Sequence, residues 1–165
     1  MAAIKKLMDD VISPSLTDEE REGALAGEYK ILGQAKKLSL FAAGAASQKY
    51  MLNLADQQEV MGAIADCAIE IYAMESCILR AEKLIEAKGE AAAGPAVAMA
   101  QFYAAQAMQT VEASARRVVA AVAEGDMLRT QMAIVRRLAK HDPANTIVLG
   151  RQIAHHVLEA GRYTI

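Results

Sequence analysis

This sequence predicts an all-α fold: an antiparallel helical bundle of three long helices plus a shorter C-terminal helical pair, with a short N-terminal helix. Three observations carry that prediction. Val60, Ile64, Cys67, Ile71, Met74, Ile78, Ala81 and Ile85 recur at alternating spacings of four and three, which places them on one stripe of a single helix. The composition is 54% hydrophobic but only 4% aromatic, with no Trp and nine Met, which suits close-packed aliphatic helices and gives a sheet little support. Helix caps and breakers divide the chain at intervals with short connections between them, as antiparallel neighbours require.

Residues 1–16 read as an N-terminal arm or linker helix, and 17–165 as the helical bundle. Ile4, Leu7, Met8 and Val11 share one side of a short helix over residues 2–12, and Ser13-Pro14 stops it. Thr17 with Glu20 three places on forms a capping box, so a long helix is expected from near Asp18 toward Tyr50. Its apolar side holds Leu25, Leu32, Ala35, Ala42 and Ala46, while Gly23, Gly27, Gly33 and Gly44 suggest close helix contacts or a bend.

Asp56 with Glu59 repeats the capping pattern and opens a second helix, residues 57–88, which Gly89 ends. Pro95 suits a first helical position, and Val97, Ala100, Ala104, Met108, Val111, Ala115, Val118 and Val122 continue a third stripe to Glu124. Gly125 breaks that helix and Asp126 caps a fourth, with Leu128, Met132, Val135 and Ala139 inward and Arg129, Arg136 and Lys140 outward. A last helix over residues 143–160 is expected to bury Leu149, Ile153 and Val157 and to end at Gly161.

The net charge is −2, which argues against a general pull on nucleic acid, and the scarcity of aromatics leaves no stacking platform for bases. No stretch reaches the roughly 18 uninterrupted apolar residues of a membrane span, and the start lacks a secretory signal, so a soluble protein is expected. Cys67 and Cys77 lie ten residues apart on one helix, about 15 Å along its axis, too far for a disulfide and consistent with a reducing compartment.

The Glu-x-x-His pairs of a di-metal bundle are missing, and His141, His155 and His156 read as surface imidazoles, with His155 outward beside Arg151 and Glu159. No Gly-x-Gly-x-x-Gly, Walker-type loop or Gly-x-Ser-x-Gly occurs. Glu70 and Glu75 flank the buried stripe and could in principle serve as a base, but the structural alternative, pairing with Arg116, Arg117 or Arg129 of a neighbouring helix, is the stronger. The basic side of Arg129, Arg136 and Lys140 could meet anionic lipid, a CoA phosphate or an acidic surface, although cations near a helix C-terminus also favour its dipole.

Three runs carry a family resemblance: IADCAIEIYAMESCILRAEKLI, EGDMLRTQMAIVRRLAK and DPANTIVLGRQIAHHVLEAGRY. Together they resemble the far C-terminal helical region of acyl-CoA dehydrogenases of the very-long-chain type, over about Ile31 to Tyr163. The resemblance implies a parent flavoprotein of fatty acid metabolism, an oxidoreductase that converts acyl-CoA thioesters to enoyl-CoA with FAD, a glutamate base and an electron-transferring flavoprotein. The patterns for that machinery match nothing in this chain, so no catalytic, cofactor-binding or metal residue is assigned and the chain itself carries no cofactor. It is expected to be the helical domain that serves packing, assembly or docking, with the catalytic core of the parent chain as partner. A homodimer and weak membrane contact through Arg129, Arg136 and Lys140 are further expectations. The location implied is the bacterial cytoplasm or, in a eukaryote, the mitochondrion as part of a longer precursor. The competing readings are a free-standing helical adaptor or self-association module, and a small flavin- or CoA-binding protein.

Overall fold

A computed structural model describes residues 22–162 of the chain. Five α-helices follow one another: α1 (Ala26–Tyr50), α2 (Gln58–Lys88), α3 (Glu90–Val122), α4 (Gly125–Leu138) and α5 (Thr146–Ala160), with a 3-10 turn, Met51–Asp56, between the first two. The described residues contain no strand, and the expected all-α bundle stands. The N-terminal arm, residues 1–16, and the Thr17–Glu20 capping box lie outside the described residues.

The first three helices form an up-down-up layer whose register can be read from polar pairs. Lys36 meets Glu75 and Tyr29 meets Glu82, so a step of seven residues forward along α1 is a step of seven back along α2. Tyr50 Oη donates to the carbonyl of Ala121 and Gln101 Nε2 to that of Ala24, which sets α3 parallel to α1. The core between them holds Leu38 and Phe41 of α1, Met74 and Ile78 of α2, and Met108, Val111 and Val118 of α3, all fully buried. Around these large side chains run alanines, among them Ala35, Ala42, Ala46, Ala81, Ala100 and Ala104, whose small volume lets the helix axes approach closely. Burying each large aliphatic side chain contributes about 1.5–3 kcal/mol before the chain-ordering cost is met.

Gly89 alone joins α2 to α3. Its N–H donates to Ile85 O, closing α2, and its carbonyl accepts from Ala93 N, opening α3. The reversal needs φ 83° and ψ 159°, a combination that a Cβ essentially forbids, so a one-residue connection here requires glycine. The helix therefore restarts at Glu90 and not at Pro95, which lies inside α3. The proline falls in the second turn, so the one backbone bond it removes lies near the start of the helix.

Other boundaries shift for local reasons. Residues 22–25 are a bend and turn with Gly23 at φ +114°, so α1 begins at Ala26 and not near Asp18. Asp56 is taken up in the 3-10 turn, leaving Gln57 as the N-cap of α2 without a side-chain cap. Asp126 likewise sits one residue inside α4, where it pairs with Arg129 at 2.7 Å and adds a negative charge to the first turn. The last helix starts at Thr146, capped by Asn145 Oδ1, which accepts from Val148 N at 3.1 Å; Pro143 remains in the preceding loop.

The two short helices attach differently. α4 turns back along the bundle and sends Val135, Leu138 and Ala139 into the core, with Leu128 and Met132 half-buried beside them, while Arg129, Arg136 and Lys140 point to solvent as the pattern predicts. α5 lies along the first half of α3 and buries no residue completely. Leu149 and Ile153 reach half-burial, but Val157 is 37% exposed, contrary to the expected inward row. The two helices come close at Gly150, where an added Cβ would stand 3.5 Å from Phe102. Gly27 and Gly33 mark no such contact, since a Cβ on either meets nothing within 4 Å. Gly161 ends the helix in the left-handed region, as expected, and returns its N–H to Val157 O.

Candidate functional site

Chemistry in this fold would have to come from its polar side chains between helices. Glu70, on the α2 side facing α3, accepts a 2.8 Å hydrogen bond from Tyr103 Oη. Glu75, on the side facing α1, accepts one from Lys36 Nζ at 2.7 Å. Each carboxylate has a partner on a neighbouring helix, but not the arginine expected for it. Arg116 is engaged by Glu112 one turn away on α3, and Arg129 by Asp126 on α4, because partners at i+3 and i+4 are already in reach without a crossing between helices. The Lys36–Glu75 pair stays about 40% exposed on both sides, so it positions α1 against α2 more than it stabilises them.

Tyr103 was not singled out by sequence. Desolvation by burial, with the Glu70 carboxylate that accepts its hydrogen bond, pushes its phenol up to about 12, so it remains a neutral donor at any physiological pH. A Tyr held in that way is a tether between α2 and α3 and not a proton shuttle.

The buried carboxylate of the described residues is one the sequence did not flag. Glu28, in the first turn of α1, is only 8% exposed, and desolvation raises its pKa above the ordinary 4.5. A backbone hydrogen bond to the carboxylate favours the anion and opposes that shift. Periodicity could have exposed it, since position 28 continues the buried row of Leu25, Leu32 and Ala35.

Cys67 lies at the centre of the three-helix layer, its Sγ 3.7 Å from the carbonyl of Val111. Burial first, then the neighbouring Asp66 charge, raises its pKa to about 11, and burial also raises that of Cys77. Both thiols are free, and neither has the depressed pKa of a nucleophile.

No group of three or more His, Cys, Asp or Glu side chains among the described residues could hold a metal ion. His155 Nδ1 stands 3.1 Å from Glu159 Oε2 on the outer side of α5, as its spacing indicates. His156 turns the other way, to a small hollow at the α2–α3 corner lined also by Leu84, Lys88 and Pro95, with a volume of about 60 Å³. No described helix is long and apolar enough to cross a membrane.

The described residues also present exposed surface of two kinds. The outer side of α4 carries Arg129, Arg136, Arg137 and Lys140, all exposed. The outer side of α2 carries apolar Met61, Ile69, Tyr72 and Leu79, also exposed.

Three comparisons bear on these surfaces. A family model described as "Acyl-CoA dehydrogenase, C-terminal domain" matches residues 34–137. A probable acyl-CoA dehydrogenase of Bacillus subtilis (strain 168) is 38% identical over 150 residues, which is 91% of this chain and 25% of that protein. The crystal structure of an acyl-CoA dehydrogenase complexed with FAD from Bacillus anthracis superposes with a TM-score of 0.90 at 36% identity, over 99% of this chain and 28% of the other. The chain thus spans about a quarter of the length of these relatives.

Proposed function

The chain belongs to the acyl-CoA dehydrogenases, whose C-terminal domain it matches, and from that premise we propose that it is the non-catalytic helical domain of a longer, FAD-dependent enzyme of fatty acid oxidation. The observation that carries this reading is the disproportion between the matches: nearly all of this chain is reproduced, by about a quarter of each relative. Its work is packing, docking and assembly. The partner is the catalytic part of the parent, and dimer formation is assigned to the whole parent. The three runs quoted above favour a very-long-chain type, and the bacterial relatives favour the cytoplasm as its setting.

The corner hollow among the described residues does not fit the flavin. A dinucleotide needs a pocket of several hundred Å³ with backbone donors for its phosphates. The corner hollow holds about 60 Å³, and the sequence lacks a glycine-rich phosphate turn. These observations favour a place for FAD in the remainder of the parent.

A second reading adds to the first. The α4 row of Arg129, Arg136, Arg137 and Lys140 has the character of a weak contact for anionic lipid headgroups, each basic residue contributing about 1 kcal/mol near such a surface. Sedimentation with phosphatidylserine vesicles, lost on charge reversal of Arg136 and Arg137, tests it.

The main reading is tested by titrating the purified chain with FAD and with a long-chain acyl-CoA. Neither ligand shifts its melting temperature, and the protein stays colourless. A stoichiometric yellow complex, or stabilisation that grows with acyl-CoA concentration, contradicts a non-catalytic domain.

A further inference from the structure

Helix α2 is apolar on two opposite sides, and among the described residues only one of them has a partner within the bundle. Met61, Ala65, Ile69, Tyr72 and Leu79 succeed one another at helical spacings along about 27 Å of the side opposite Cys67, Met74 and Ile78. Ile69 is 63% and Tyr72 76% exposed. Scattered apolar residues on a surface are ordinary, but a row aligned on one helix face is not scattered. Gly62, Ala68 and Ser76 lie beside the large side chains and leave hollows between them, the relief into which the ridges of another helix pack. Asp66 flanks the row near its start and Arg80 and Lys83 near its end, as a polar rim does around a buried contact.

We infer that this outer row of α2 is the surface by which the domain seats against an apolar helix face of the catalytic part of the same polypeptide. The inference rests on the reading above, that such a part exists. Size selects this occupant. A row about 27 Å long and one helix wide, about 10 Å, offers on the order of 300 Å², well below the roughly 800 Å² per partner of a free-standing dimer. A tethered domain needs less, because the linker holds it at an effective concentration in the millimolar range. The relatives supply the tether, since about three quarters of their length lies outside the region this chain matches. A lipid surface fits the row less well, because the helix face that meets lipid is bordered by cations along its length and here they stand at one end.

Hydroxyl-radical footprinting of this chain and of the full-length polypeptide tests the inference. Ile69, Tyr72 and Leu79 are oxidised readily in the chain alone and at least tenfold more slowly in the full-length protein, while Leu158 on the outer side of α5 is labelled alike in both. Equal labelling of Tyr72 in the two overturns the inference and leaves the parent reading intact. Protection of Tyr72 in the chain alone that grows with its concentration overturns it in favour of a second copy, and protection that appears only with phosphatidylserine vesicles overturns it in favour of lipid. As an independent check, Ile69→Glu with Tyr72→Glu in the full-length protein opens the domain to limited proteolysis at least tenfold faster, while Arg136→Glu does not; equal rates for both variants count against the inference. A natural product of 165 residues without flavin refutes the parent reading itself, whatever the labelling.

Discussion

On one side of α2, Cys67, Met74, Ile78 and Ala81 are closed off by α1 and α3, while on the other Ile69, Tyr72 and Leu79 stand in solvent although they are no less apolar. The first side accounts for why the chain folds, and the second for why folding does not exhaust its sequence. A helix that needed only one partner would carry a polar outer face, as α4 does with its arginines. The difference teaches that burial, not hydrophobicity, distinguishes a core from a docking surface, and that the second can be seen only after the first has been subtracted.

The widest separation between the two sides should appear in stability. Ile78→Ala removes a fully buried side chain and costs about 2–5 kcal/mol in urea unfolding, whereas Ile69→Ala changes the isolated chain by less than about 0.5 kcal/mol. Equal losses would mean that the outer side is already covered. Next comes Gly89→Ala, which forces a Cβ into the φ 83° connection behind α2 and costs about 1–3 kcal/mol by the same measurement. A neutral effect would show that the reversal relaxes into another geometry.

These contrasts mark what sequence could reveal. The inner stripe of α2 and the α3 row from Ala100 to Val122 are legible because a period near 3.6 is what one buried face imposes. The outer row was hidden in the same helix by its polar companions: Asp66, Ser76, Arg80 and Lys83 make that side read as solvated, and the apolar residues among them fall out of the pattern. Helix starts were misplaced where a side chain able to cap, Asp56 or Asp126, was taken into the adjoining turn or helix instead. The partners of Glu70 and Glu75 were out of reach, since they depend on the offset between helices, and periodicity fixes the faces but not the offsets. Inward Val157 failed for another reason: the half-buried row of α5 runs through Leu149, Ile153 and His156 to Ala160, which leaves Val157 at its edge.

Smaller effects refine the picture at the edges. Asn145→Ala deletes the cap of α5 and costs about 1 kcal/mol, seen as faster amide exchange in that helix alone because it contributes no buried residue to the core. A double-mutant cycle on Lys36 and Glu75 gives a coupling below about 1 kcal/mol, consistent with a pair open to solvent on both sides.

Glu28 should act in the opposite direction. Its folded-state pKa lies above the ordinary 4.5, so the folded protein binds this proton more tightly than the unfolded one, and stability falls as pH rises through the window above 4.5. Glu28→Gln therefore raises the melting temperature at pH 7, and the advantage over the parent chain disappears below pH 4.5, where the carboxyl is protonated in both states. A variant that melts lower at pH 7 would show that the carboxylate is satisfied as an anion.

The central claim, that this fold is the terminal quarter of a flavoenzyme, is tested most directly by the intact mass and visible spectrum of the natural polypeptide recognised by an antibody against this chain. The account predicts a yellow protein about four times the length of this one, carrying these residues as one domain. A colourless product of 17.7 kDa would contradict it.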